Sequence, residues 1–143
     1  MKIKDLEAGR ELDALVARHV MELRPCDTYK VAGRFSAWVT MWGCDHGDGK
    51  CYPTDPKIVD DAHSPLLKYS IQIQSAWEVV KKVSNDDRPL SIHHLGKDGW
   101  TVCFGPDGIV CQEKTVELAI CKAALMAVLG KDEVEVGDGK EDK

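Results

Sequence analysis

The sequence predicts an α+β domain, with a small antiparallel sheet layered between helices in an α/β/α sandwich. Three observations carry that expectation. Apolar residues recur at spacings of three and four in three separated segments, near 12–23, 73–83 and 118–129, the stripe of an amphipathic helix. Between the second and third segments lie three short extended runs divided by Gly96-Lys97-Asp98-Gly99 and Gly105-Pro106-Asp107-Gly108, strong turn signals that make an antiparallel meander. Helices on both sides of such a sheet bury every stripe, which is how layered α+β domains gain stability.

The first helix is expected over 5–23, where Leu12, Leu15, Val16, His19, Val20 and Leu23 form the stripe and Arg24-Pro25 ends it. Gly9 weakens its first turn by about 1 kcal/mol relative to alanine. Residues 26–69 form an irregular insert, with a strand or hairpin at 35–42 and then a long exposed loop, because 43–56 is dense in Gly, Asp and Pro. Long ordered loops are often functional, so specificity is sought there. Ser70 is expected to cap a second helix whose buried stripe is Ile73, Ala76, Trp77, Val80 and Val83, with Glu78 and Lys82 paired and an end near Ser84-Asn85. The meander strands fall at 91–95, 100–104 and 109–112. Thr115 caps the third helix, Glu117 complements its dipole, Leu118, Cys121, Leu125, Val128 and Leu129 line one side, and Gly130 stops it. One domain over 1–130 is therefore expected, followed by a disordered charged tail over 131–143.

At 143 residues the chain suits one domain, and its 43% apolar and 30% charged residues are those of a soluble globular protein. No apolar run approaches the ~20 residues that cross a bilayer, and the N-terminus lacks the apolar stretch of about 7–15 residues of a secretory signal. A cytoplasmic location is expected, so the six cysteines are expected to be reduced. With 19 basic against 24 acidic residues the net charge is -5, which disfavours a nucleic-acid partner but leaves room for a small anionic ligand in a local basic pocket. A small sheet leaves exposed edges, so a homo-oligomer is expected.

Three tracts resemble one known family: Ala8-Gly9-Arg10-Glu11-Leu12-Asp13-Ala14-Leu15-Val16-Ala17, Tyr69-Ser70 followed by Ala76-Trp77-Glu78-Val79-Val80, and Leu118-Ala119-Ile120-Cys121-Lys122-Ala123-Ala124-Leu125. In that order they resemble the phage ABA-sandwich domain family. The match touches all three expected helices, although the tracts amount to a quarter or less of the residues. Ile71-Gln72-Ile73-Gln74-Ser75 departs from the Thr-Asp-Ile and alanines usual after Tyr-Ser, Lys122 stands where Arg is usual, and the insert around 42–52 is particular to this chain. The resemblance implies a phage origin and an α/β/α-layered fold, and supplies fold more than function. By analogy with small phage proteins lacking an evident catalytic site, it implies a counter-defence factor that sequesters a nucleotide-derived signal.

The most metal-like constellation is Cys44-Asp45-His46 followed by Cys51, with Asp48 between them and Cys26 or His63 as a fourth ligand. Zinc sites favour paired, short-spaced ligands from two turns, whereas here one half is Cys-x-His and the other a lone Cys. The sequence therefore reads as a solvated loop with incidental thiols, and neither a metal nor another cofactor is expected. Cys103, Cys111 and Cys121 read as small hydrophobes, and a nucleophilic pair of Cys103 with His93 or His94 has only sequence proximity behind it. Asp60-Asp61 and Asp86-Asp87 read as solvated turns, while Gly47-Asp48-Gly49-Lys50 lacks the helix that would aim amides at a phosphate.

Four tryptophans and several basic residues offer the alternative to core packing. Arg34, Trp38, Trp42, Lys50, Tyr52 and Tyr69 combine aromatic faces with cations, types that stack on bases and pair with phosphates. Trp77 and Trp100 are assigned to the core. The expected function is thus a non-enzymatic phage protein that sequesters a small nucleotide-derived ligand through those six residues. The alternative is a protein-interaction module that inhibits or redirects a host protein through the surface over 35–52.

Overall fold

The structure, a computed structural model, describes residues 2–36, 39–47, 49–61, 64–105, 108–131 and 133–134. The protein is an α+β sandwich of helices and small sheets. Helix α1 (Arg10–Leu15) runs on into a π-helical turn (Val16–Val20). Then come β1 (Arg24–Cys26), β2 (Lys30–Ser36), β3 (Val39–Gly43), β4 (Cys51–Pro53), α2 (Pro56–Val59) and α3 (Ile73–Val83). The chain closes with β5 (Leu90–His94), β6 (Trp100–Phe104), β7 (Gly108–Glu113) and α4 (Val116–Leu129).

Helix α4 is the hub, packing on β6 and β7, on α3 and on the first helix with its π turn. Its sequence is apolar around most of its circumference, so every residue from Leu118 to Leu125 is buried. Its ends are those the sequence indicated. Thr115 Oγ1 accepts from the Leu118 amide at 3.2 Å, and Gly130, in the left-handed region at φ 69°, donates to the Met126 carbonyl at 2.8 Å. Lys122, buried midway along, reaches out of the apolar layer to the Lys4 carbonyl at 2.7 Å and the Glu113 carboxylate at 2.9 Å.

The meander forms as expected, in the order β5-β6-β7 with both pairs antiparallel. Val102, Phe104 and Val110 are buried on the face that meets α4. Ser91, Cys103 and Ile109 lie in register across the three strands on the other face, where Ser91 and Ile109 are exposed and Cys103 half-buried. Trp100, assigned to the core, is half-buried and lies against the His94 ring, with centroids 4.3 Å apart.

Several expectations change. The first helix begins at Arg10 rather than Asp5, and a short 3-10 turn (Ile3–Asp5) precedes it. Ser70 does not cap α3, because Asp13 and Gly9 use its hydroxyl and Gln72 takes the cap position without a side-chain bond. Ile73 and Trp77 are each 47% exposed. The buried arc of α3 is Ala76, Val79, Val80 and Val83, and at about 100° per residue Ile73 and Trp77 fall at its edge once Val79 is counted. Glu78 pairs with Lys81 at 2.9 Å, while Lys82 reaches Glu22 at 3.5 Å.

The insert is more ordered than a hairpin and a loop. β2 and β3 do pair antiparallel, from Lys30 opposite Gly43 to Ser36 opposite Val39. Beyond them β4 pairs parallel with β1, Arg24 opposite Cys51 and Cys26 opposite Pro53, which pulls the loop back against the domain. The expected tail lies outside the described residues apart from Lys131, Glu133 and Val134. Val134 is buried and Glu133 bridges to Lys2. Among the described residues no helix is long and apolar enough to cross a membrane.

Candidate functional site

Three backbone segments meet at the root of the β2–β3 hairpin. Cys26 ends β1, Cys44 and His46 follow β3 directly, and Cys51 opens β4. The β1–β4 pairing sets Cys26 beside the strand that carries Cys51. The turn between His46 and Cys51 includes Gly47 and Gly49, both in the left-handed region at φ 67° and 70°, where a side chain would be strained. The three sulfurs and a ring nitrogen of His46 lie within 4.8 Å of one another, and Cys26 Sγ is 3.5 Å from His46 Nδ1. The loop of incidental thiols read from the sequence is therefore a convergent cluster, with Cys26 supplying the ligand position that the local spacing lacked.

The surroundings of the cluster are polar and fixed. Thr28 Oγ1 stands 3.1 Å from Cys26 Sγ and accepts from the Asp45 amide at 3.3 Å. The Arg24 guanidinium donates to Cys51 Sγ at 3.6 Å, and the Tyr29 hydroxyl donates to the Cys51 carbonyl at 2.7 Å. Cys44 is drawn down to about 6, chiefly by the Gly47 amide and also by His46, whereas burial pushes the Cys51 thiol up. Burial, with the three sulfurs nearby, raises the Tyr29 phenol to about 12. Three thiols and an imidazole make a soft donor set suited to a tetrahedral metal.

A hollow opens beside the cluster, lined by Tyr29, Trp42, Cys44, Cys51, Leu67 and Tyr69. Trp42 is half-buried on β3, and its indole N–H has no hydrogen-bond partner among the described residues. Tyr69 is 2% exposed, and burial with Asp13 nearby raises its phenol to about 12.

A second cleft, of about 250 Å³, lies between α1 and the β4–α2 corner. Its apolar walls include Ala14, Val59, Leu66 and the ring of Tyr52, and its rim carries Arg10 and Arg18. Arg10 is bound to Asp60 at 3.1 Å, whereas Arg18 makes no hydrogen bond or ion pair among the described residues. Burial raises the Tyr52 phenol, and the Arg18 charge acts against that rise.

The six residues expected to bind ligand are thus divided. Trp42 and Tyr69 share the hollow beside the thiols, and Tyr52 faces the cleft on α1. Lys50 is exposed ahead of β4, Arg34 lies on β2 opposite Thr40 with only its backbone described, and Trp38 lies outside the described residues. Asp48 and His63, weighed as metal ligands, also lie outside them. Arg10 and Arg18 were missed because on a helix they read as solvated charges. Their spacing of eight, with Ala14 midway, is the signal that places both on one face.

No curated protein and no solved structure matches the chain. The family model of the phage ABA sandwich domain matches residues 14–125, a span holding all four cluster residues, Asp13's immediate neighbour and the core of α4. With most of its length matched by that model, the chain belongs to the phage ABA sandwich domain family.

Proposed function

We propose that this phage protein acts by binding and not by catalysis, and that it sequesters a small ligand carrying a flat apolar part and an anionic group. The observation that carries the reading is the Arg18 guanidinium, without a partner among the described residues, at the rim of an apolar cleft walled by Tyr52. A cation beside an aromatic face suits a nucleotide-derived ligand, with the ring on the apolar wall and the phosphate at Arg18. Ligand pockets usually start at about 300 Å³, so this smaller cleft favours a mononucleotide or a fragment of one. Asp13, the buried carboxyl with a raised pKa, is held by two hydrogen bonds from Ser70, which supports a structural role for it over acid–base chemistry. In phage biology such binding fits a counter-defence role.

The test is native mass spectrometry of the protein from infected cells, compared with the denatured sample, followed by titration calorimetry with nucleotides. The expected result is a releasable species absorbing like a nucleobase, bound at least tenfold more weakly, about 1.4 kcal/mol, by Arg18→Ala. A bare protein that binds no nucleotide overturns the reading.

A second reading, an interaction module, is favoured by a specific observation. Ile71, Ile73 and Trp77 place large apolar side chains, 54%, 47% and 47% exposed, just before α3 and in its first two turns. Such a patch suits a second copy of the chain or a host protein. It is separate from the 35–52 surface named from the sequence, where Met41 is likewise 46% exposed.

A further inference from the structure

We propose that Cys26, Cys44, His46 and Cys51 hold one zinc ion in a closed tetrahedral site that fastens the β2–β3 hairpin to the domain. The inference is independent of the ligand reading above and uses none of the cleft residues.

Geometry comes first. Around a zinc ion with Zn–S bonds of about 2.3 Å, tetrahedral ligand atoms stand about 3.5–3.8 Å apart. The Cys26–His46 separation of 3.5 Å already meets that figure, and the full set fits within 4.8 Å. Closing the rest requires shifts of about 1 Å, within the rotamer freedom of Cys44 and His46, which are half-buried and exposed. Three sulfurs and one nitrogen select a soft or borderline ion over magnesium or calcium. Four protein ligands leave no open position, the mark of a structural and not a catalytic site. Three thiolates on a divalent ion leave one net negative charge, and the Arg24 guanidinium on Cys51 Sγ and the Thr28 hydroxyl by Cys26 are suited to offset it.

Burial gives the independent argument. The hydrophobic core includes no side chain from residues 24–51 among those described. Among the described side chains of that stretch, the buried ones are Cys26 and Cys51. A two-stranded hairpin alone is at best marginally stable in water. What replaces an apolar core at its root is a knot of thiols, and a metal turns that knot into a coordinated crosslink whose binding free energy adds to folding. The ligands come from three segments, Cys44 and His46 just past β3 of the hairpin itself, Cys26 at the end of β1 and Cys51 at the start of β4, so a shared ion ties the hairpin to the β1–β4 pair.

The experiment uses the full chain purified under reducing conditions without a histidine tag. Elemental analysis is expected to find about one zinc per chain, and cobalt(II) replacing it to give the intense visible bands of a tetrahedral thiolate site. Cys51→Ser is expected to fall below about one-tenth equivalent, and His46→Ala to weaken zinc by about tenfold or more, while Cys103→Ser keeps a full equivalent. Chelation is expected to open residues 27–50 to limited proteolysis while the α4-centred core stays resistant. If Cys51→Ser fails to fold, the wild-type cobalt spectrum and the exposed His46→Ala variant decide the matter. Wild-type protein with neither metal nor cobalt bands, protein loaded with iron instead, or His46→Ala identical to wild type in zinc affinity would each overturn the proposal.

Discussion

Asp13, buried on α1, accepts two hydrogen bonds from Ser70, from its backbone amide at 2.8 Å and its hydroxyl at 2.7 Å, across 57 residues of sequence. Ser70 Oγ in turn accepts from the Gly9 amide at 3.0 Å, so one side chain ties the start of α1 to the approach to α3. Asp13→Ala strands a buried amide and hydroxyl and is expected to cost about 3 kcal/mol in urea denaturation. Asp13→Asn keeps an oxygen for both donors and is expected to cost less than half of that.

The same carboxyl makes a pH prediction. Burial raises the Asp13 pKa above its ordinary 3.8, and the two bonds from Ser70 only partly oppose the rise. Its folded pKa therefore lies above its unfolded one, and the native state binds the proton more tightly. The sign follows from linkage: this group's contribution is fully present below the unfolded pKa and is lost as pH rises through the folded value. The difference in unfolding free energy between wild type and Asp13→Asn, followed from acid to neutral pH, should move in favour of the variant. A flat difference would show that the carboxyl titrates normally.

Lys122 and Glu113 form the deepest ion pair among the described residues, at 2.9 Å with side chains 3% and 15% exposed. Breaking such a pair from one side leaves a desolvated charge, so Lys122→Ala is expected to cost about 3–5 kcal/mol. Replacing both partners, Lys122→Met with Glu113→Gln, is expected to cost less than Lys122→Ala alone. A double-mutant cycle by chemical denaturation measures the difference. Lys122→Arg keeps the charge but must fit a planar fork where Nζ now bonds both Glu113 and the Lys4 carbonyl.

Trp77 predicts association. If its exposed face on α3 meets a second copy, Trp77→Arg is expected to shift the chain to monomer in light scattering, without loss of thermal stability. A side chain that is half exposed contributes little to the fold of the monomer. An oligomer unchanged by Trp77→Arg would place the contact elsewhere.

Gly99 predicts the tightness of the meander. It sits at φ 87°, and a Cβ there would collide with the Glu113 backbone carbonyl. Gly99→Ala is expected to destabilise by about 2 kcal/mol or more in thermal or urea unfolding, because both the backbone conformation and the space forbid it.

Local patterns were legible wherever one short stretch of chain decides the outcome. Thr115 and Gly130 bracket α4 because a cap needs only its own neighbours, and the Gly-rich turns place β5, β6 and β7 for the same reason. The α3 stripe was legible in kind but not in angle. Isoleucine and tryptophan at the edge of an apolar arc look buried until the neighbouring helix sets which way the arc faces. The pairing of β1 with β4 left no trace, since each is three residues long, carries a proline and has no alternation to read.

The sequence by itself determined the α+β class, the ends of α4 and the meander, because periodicity, capping and turn chemistry act over a few residues at a time, and three of its tracts carried the family resemblance. Tertiary structure alone decided which distant groups meet. It brought Asp13 to Ser70, set Arg18 and Tyr52 on one cleft, and carried Cys26 back to Cys44, His46 and Cys51. The physical reason is chain topology: a site built from separate segments exists only after strand pairing and helix packing have joined them, and no local spacing encodes that junction.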